Sequence, residues 1–122
     1  MTALYSEYGF DEATPEQIAA VSNGCGGAGI GFLVPNTVFF QSVIESCYRH
    51  DWGYHHGQTI QDKEKTDRAF LNNMIRQIDA KKSWKWVKKL RYGRAYQNYE
   101  IVKKFGGPWF WKDKKDGPTE KA

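Results

Sequence analysis

A chain of 122 residues, 40% hydrophobic and 26% charged, is of a length to form one domain with a modest core. Its apolar run from Gly29 to Phe40 is broken by Pro35 and Asn36, and falls short of the ~20 residues a helix needs to cross a bilayer. That excludes a helical span there and leaves a chain expected to be soluble or peripheral. Charge is divided along the sequence: no Lys or Arg precedes Arg49 while five acids do, so residues 1–48 carry −5 and the remainder +9, giving the overall +4. The positive half centres on a Trp-rich segment from Lys81 to Lys104, suited to an anionic surface, lipid or nucleic acid, or to a solvated helix face. Two cysteines, Cys25 and Cys47, leave the redox compartment open. The first residues are polar and acidic, so no secretory signal is expected in this chain.

Thr14-Pro15-Glu16-Gln17 reads as a helix start, with Thr14 as cap, Pro15 at the first position and Gln17 closing a capping box. This short helix is expected to end before Ser22-Asn23-Gly24. The following stretch, Asn23 to Gly29, holds four glycines and lacks the spacing of a dinucleotide or phosphate loop. A second helix is expected from Thr37 to Gly57. Phe40, Val43, Ile44, Cys47, His50, Asp51 and Tyr54 recur at steps of three and four, which puts a thiol, an imidazole and a phenol on one stripe. A third helix, from Gln61 or Asp62 to Ala80, buries Phe70, Leu71, Met74, Ile75 and Ile78, and the same face carries Asp67. Ser83 is read as the cap of a fourth helix, from Trp84 to about Lys104, with Gly106-Gly107-Pro108 as its terminator. Gly93 within it marks a candidate kink. Trp109-Phe110-Trp111 should pack back onto the domain, which is taken to span residues 1–112. Residues 113–122 read as a disordered tail. No strand pair is expected.

A carboxylate on an apolar stripe needs a partner. The second and third helices are joined by a short turn near Gly57 to Gln61, so they should pack antiparallel. His50 lies about two turns before that connection and Asp67 about two turns after it, so they should face each other. Such a pair is either a satisfied buried histidine or a base whose free ring nitrogen takes a proton. Asp51, beside a glycine-rich loop able to offer backbone carbonyls, has the chemistry a hard cation such as calcium requires. Cys25 in the loop can reach Cys47, and a disulfide there would add about 3 kcal/mol on the chain-entropy argument.

Cys47-x-x-His50-Asp51-x-x-Tyr54, preceded by a Gly-Cys-Gly loop and followed by Asp67 on an antiparallel helix, resembles the secreted phospholipase A2 superfamily. The nearer likeness is to its compact bacterial, fungal and viral branch, and residues 95–106 are similar to the last helix of that branch. The resemblance spans about residues 22 to 107. It implies an all-α fold with two long antiparallel helices carrying the active site, a Gly-rich calcium loop and a further C-terminal helix. By position it implies His50 as base, Asp67 as the carboxylate orienting it and Tyr54 as the phenol supporting that carboxylate. It implies a calcium site of Asp51 with the carbonyls of Gly24, Gly26 and Ala28, and a loop-to-helix disulfide between Cys25 and Cys47. Ala28 stands where glycine is usual, and Gly53 replaces a cysteine common in animal relatives and permits close helix approach. The implied activity is calcium-dependent hydrolysis of the sn-2 ester of glycerophospholipids by a secreted, virion or extracellular protein acting peripherally on membranes.

The expected partner is an anionic phospholipid surface met through Trp84, Lys85, Trp86, Lys88 and Lys89. The alternative is a non-enzymatic membrane- or nucleic-acid-binding helical module that uses residues 81–104 without turnover; nucleic acid is the less favoured partner. A zinc site of His50, His55 and His56 is disfavoured, since paired helical ligands want spacings of three or four. Arg49 and Trp52 read as surface residues.

Overall fold

The computed structural model describes residues 4–22, 34–111 and 114. The chain is mostly helical, in the order α1 (Pro15–Val21), β1 (Thr37–Val38), β2 (Gln41–Ser42), α2 (Ile44–His56), α3 (Ile60–Ala80), α4 (Lys85–Phe105) and α5 (Gly107–Trp111), after a 3-10 turn at Phe10–Glu12. The helix start at Thr14 forms as read: its hydroxyl accepts from the Gln17 amide, and the Gln17 side chain accepts from the Thr14 amide. The helix closes with Ser22 as C-cap. Thr59 and Asp62 make the equivalent box at the start of α3, which therefore begins at Ile60, slightly before its expected position.

Thr37 does not open a helix. It pairs with Ser42, and Val38 with Gln41, in a two-residue antiparallel ladder whose turn is Phe39–Phe40. Both turn residues have positive φ, 40° and 69°, which is the primed hairpin geometry usually given to Asn-Gly. A bulky residue in that region costs about 1–2 kcal/mol. The three- and four-residue spacing of Phe40 and Val43 suggested a helix, but Val38 and Val43 enter the core from the ladder and its exit. Phe40 is thrown outward, 86% exposed.

α3 packs between α2 and α4. Ser46 meets Gln77 while His50 meets Asp67, so α2 and α3 run antiparallel as expected. Lys63 meets Val102 while Asp79 meets Tyr92, so α4 runs antiparallel to α3 as well. The core between them contains Val34, Val38, Val43, Cys47, Phe70, Met74, Ile78, Ala95 and Val102. Each large aliphatic or aromatic side chain buried there contributes roughly 1.5–3 kcal/mol. Of the expected apolar face of α3, Phe70, Met74 and Ile78 are fully buried, and Leu71 and Ile75 only partly.

Gly53 permits the close contact of α2 with α3. A Cβ there would stand 2.6 Å from Thr66 Cγ2, well inside van der Waals contact. The segment before α1 is stapled across the same two helices by side chains. Asn73 accepts from the Tyr5 amide at 2.7 Å and donates to the Tyr5 carbonyl at 2.9 Å, and Trp52 Nε1 donates to the Tyr8 carbonyl at 3.0 Å. Trp52 is thus buried, not a surface residue, while Arg49 is half-buried and bonds Ser6 and Glu45.

α4 starts at Lys85 with Trp84 as N-cap and no side-chain cap bond; the Ser83 hydroxyl instead accepts from Arg91. The helix runs through Gly93 to Phe105. Trp109-Phe110-Trp111 folds back as α5, with Phe110 and Trp111 packed on Tyr54. Lys114 also belongs to the folded unit, since its ammonium donates to the carbonyls of Tyr54 and Phe110. The rest of the expected tail, 113 and 115–122, lies outside the described residues. No helix among the described residues is long and apolar enough to cross a membrane.

Candidate functional site

The site grows from the antiparallel register of α2 and α3. Successive α2 turns present Cys47, His50 and Tyr54, and α3 presents Lys63, Asp67 and Phe70 opposite them. His50 Nε2 lies 2.8 Å from Asp67 Oδ1, and both side chains are almost fully buried. The Tyr54 hydroxyl donates to the same Asp67 oxygen at 2.6 Å. Asp67 Oδ2 accepts from Lys63 Nζ at 2.8 Å, and that ammonium also donates to the carbonyls of Val102 at 3.2 Å and Lys103 at 3.4 Å. The carboxylate therefore takes three donors, two of them from basic side chains.

Electrostatics follow from this arrangement. Burial pushes the Asp67 carboxyl up, but the His50 hydrogen bond and the charges of His50 and Lys63 outweigh it and hold it below the usual carboxylate range. Burial first, then the adjacent Asp67 charge, pushes the Tyr54 phenol far above its ordinary range. Tyr54 is thus a fixed neutral donor. With Asp67 ionised, the His50 nitrogen that faces it is the donor, and in the neutral ring this leaves the lone pair on Nδ1.

Aromatic rings confine the imidazole. Its centroid is 4.2 Å from Tyr54, 4.5 Å from Phe70 and 5.6 Å from Trp109. Gly106, at the end of α4, leaves room for the Tyr54 hydroxyl, because a Cβ there would meet that oxygen at 2.5 Å.

Asp51, next to His50 on α2, is 2% exposed. Its Oδ2 accepts from the Ser22 hydroxyl at 2.8 Å. Ser22 directly precedes the glycine-rich stretch of the sequence, so the carboxylate is tied to the residue from which that stretch leaves. Gly24, Gly26 and Ala28, the expected carbonyl donors, lie outside the described residues. Cys25 does too, whereas Cys47 is buried and disulfide-bonded. Among the described residues no three His, Cys, Asp or Glu side chains converge on a common metal position.

Of the residues expected for interfacial binding, Trp84 and Trp86 are exposed, at 73% and 55%. Lys85 and Lys89 are also exposed, while Lys88 is half-buried and donates to the Asp79 carbonyl.

Sequence reasoning joined His50, Tyr54 and Asp67 correctly in space but missed Lys63, Ser22, Trp109 and Gly106. Lys63 was findable: it stands four residues before Asp67 on one helix, the spacing that places an ammonium over a carboxylate. The fold-back of Trp109-Phe110-Trp111 is expected from the sequence, but no local pattern specifies that the Trp109 ring meets His50. No family model, curated protein or solved structure matches the chain.

Proposed function

We propose that the protein is a calcium-dependent phospholipase A2, with a phospholipase A2-like arrangement of α2 and α3, hydrolysing the sn-2 ester of glycerophospholipids. The observation that carries this reading is the orientation of His50. Its Nε2 is bound to an ionised, triply hydrogen-bonded Asp67, so Nδ1 is the basic nitrogen. Asp67 and Tyr54 hold one tautomer of the ring, and the Phe70 and Trp109 walls keep the base from bulk water. His50 Nδ1 takes a proton from the attacking water and returns it to the leaving alcohol. As Asp67 stays ionised, the imidazolium formed in between is stabilised by a carboxylate already in place.

The donor set is of a kind that suits calcium. Asp51 is a buried carboxylate one residue from the base, and its Ser22 contact ties it to the residue just before a glycine-rich sequence. Asp51 would hold the ion together with the carbonyls of Gly24, Gly26 and Ala28. Bound calcium supplies Lewis-acid polarisation of the ester carbonyl and charge for the oxyanion. Asp51 itself holds Ser22, the residue before the glycine-rich segment.

The test is fatty-acid release from vesicles labelled at the sn-2 position, with calcium and chelator arms. His50→Ala and Asp51→Asn should each abolish release while leaving the helical circular dichroism intact. Calorimetric titration with calcium should show binding to the unmodified chain and its loss in Asp51→Asn. Release that persists in chelator, or in His50→Ala, would overturn the mechanism.

A further inference from the structure

The start of α4 and the tip of the β1–β2 hairpin form one surface that the hydrolytic site does not use. Phe40 contacts Phe39 at a centroid distance of 5.1 Å, Phe39 contacts Trp86 at 6.2 Å, and Trp86 contacts Trp84 at 6.2 Å. A continuous aromatic ridge thus joins two elements distant in sequence. Its outer members are the most solvent-facing large apolar side chains described: Phe40 is 86% and Trp84 73% exposed, with Trp86 at 55% and Leu90 at 44% beside them. The tip is also pinned. Arg91, buried, donates from Nε to the Phe39 carbonyl at 3.0 Å and from Nη1 to Ser83 at 2.9 Å, tying the hairpin turn to the residue before Trp84.

Two features say what this ridge meets. First, Phe39 and Phe40 hold positive φ, 40° and 69°, a conformation in which Asn or Gly would be unstrained. The fold thus keeps an unfavourable residue whose ring, at Phe40, points to solvent. Second, the surrounding charge has one sign. Between Lys81 and Arg94 there are seven Lys or Arg residues and no acid, and Lys82, Lys85 and Lys89 are exposed around the ridge. Apolar side chains at the centre and a lysine collar complement a sheet of anionic headgroups above hydrocarbon.

We infer that the Phe39–Phe40 tip and the Trp84, Trp86 and Leu90 face form a lipid-insertion ridge that seats the protein on anionic phospholipid. The inference rests on the hydrolase reading for its choice of a membrane, and it names the contact by which the enzyme would reach its substrate. Nucleic acid fits less well. The rings pack against one another at interplanar angles of 64°, 69° and 43°, so they do not present the free parallel faces on which bases stack. Leu90 adds aliphatic surface with no role in stacking.

The experiment uses the full chain with vesicles of ether-linked phosphatidylglycerol or phosphatidylcholine, which contain no carboxylic ester to cleave, in calcium-free buffer. Partitioning should favour phosphatidylglycerol by about tenfold or more at low salt. Phe40→Asn suits the backbone at that position, so its melting temperature should not fall, yet its partitioning should drop about tenfold or more. Trp84→Ala with Trp86→Ala should show a comparable loss, and brominated lipid should quench the tryptophan fluorescence of the unmodified chain but much less that of Trp84→Phe with Trp86→Phe. Unchanged vesicle binding by Phe40→Asn would overturn the inference. So would variants that lose binding to single-stranded oligothymidylate while keeping vesicle binding. The two readings fail separately: absence of fatty-acid release from ester vesicles removes the hydrolase while the pattern of adsorption stands, and calcium-dependent release with unaltered adsorption by Phe40→Asn removes only the ridge.

Discussion

Lys63 offers the sharpest energetic test of the site. Its ammonium is 2.8 Å from Asp67 Oδ2, with the two side chains 7% and 3% exposed. Replacement by Met keeps the aliphatic stem and removes the charge. Val102 O would still accept from the Gly106 amide at 2.9 Å, so the loss falls chiefly on Asp67. Breaking one side of a buried ion pair costs about 3–5 kcal/mol. Since His50 and Tyr54 would still donate to Oδ1, the lower end applies, about 3 kcal/mol. Set against a total stability of about 5–15 kcal/mol for a domain of this size, that is a large fraction. The assay is urea unfolding at pH 7 in a double-mutant cycle. Lys63→Met should lose about 3 kcal/mol, and Asp67→Asn should lose a similar amount by stranding the Lys63 charge. The double variant should lose less than the sum by about 2 kcal/mol or more, because neither charge is then left alone. Additive losses would refute the claim that the two groups compensate each other in a dry environment.

Acid sensitivity follows from the same carboxylate. The folded-state pKa of Asp67 is depressed, so its stabilising contribution is complete above the unfolded value of about 3.9 and fades as pH falls through the lower folded value. Unfolding free energy measured against pH should therefore drop in acid for the unmodified chain more than for Asp67→Asn, and parallel curves would contradict the assignment. At the end of α4, Gly106→Ala should push the Tyr54 hydroxyl away from Asp67, since the added carbon would meet that oxygen at 2.5 Å. The expected cost is about 1–3 kcal/mol, read as a lower urea midpoint; an unchanged midpoint would show that the helix end yields freely.

Part of the site is written in local spacing. His50 and Asp67 are joined by counting turns either side of a short connection, and they meet because both helices are regular through those residues. Tyr54 shares the His50 stripe, while its bond to Asp67 is implied only by the family resemblance. Lys63 obeys the same rule but does not stand out in the sequence, since a lysine on a charged helix ordinarily faces water. The hairpin at residues 37–42 departs from the helix expected there because apolar steps of three and four suit a helix as well as a pair of very short strands. Only the positive φ of Phe39 and Phe40, an exception to residue preference, separates the two. Ser22 was placed correctly as a helix end, but its bond to Asp51 spans a separation of 29 residues and had no periodic signature.

The sequence by itself determined the regular middles of the long helices, the capping box at Thr14 and the antiparallel meeting of His50 with Asp67. Those depend on interactions within a few residues or across one short turn. Tertiary structure alone decided the rest: that the carbonyls of Val102 and Lys103 at the end of α4 meet the Lys63 ammonium, that the returning α5 sets Trp109 against the imidazole, and that a strained hairpin tip joins Trp86 and Trp84 in one exposed ridge. Each of these brings together elements far apart in the chain, and their closeness is set by how the core packs and not by any local preference.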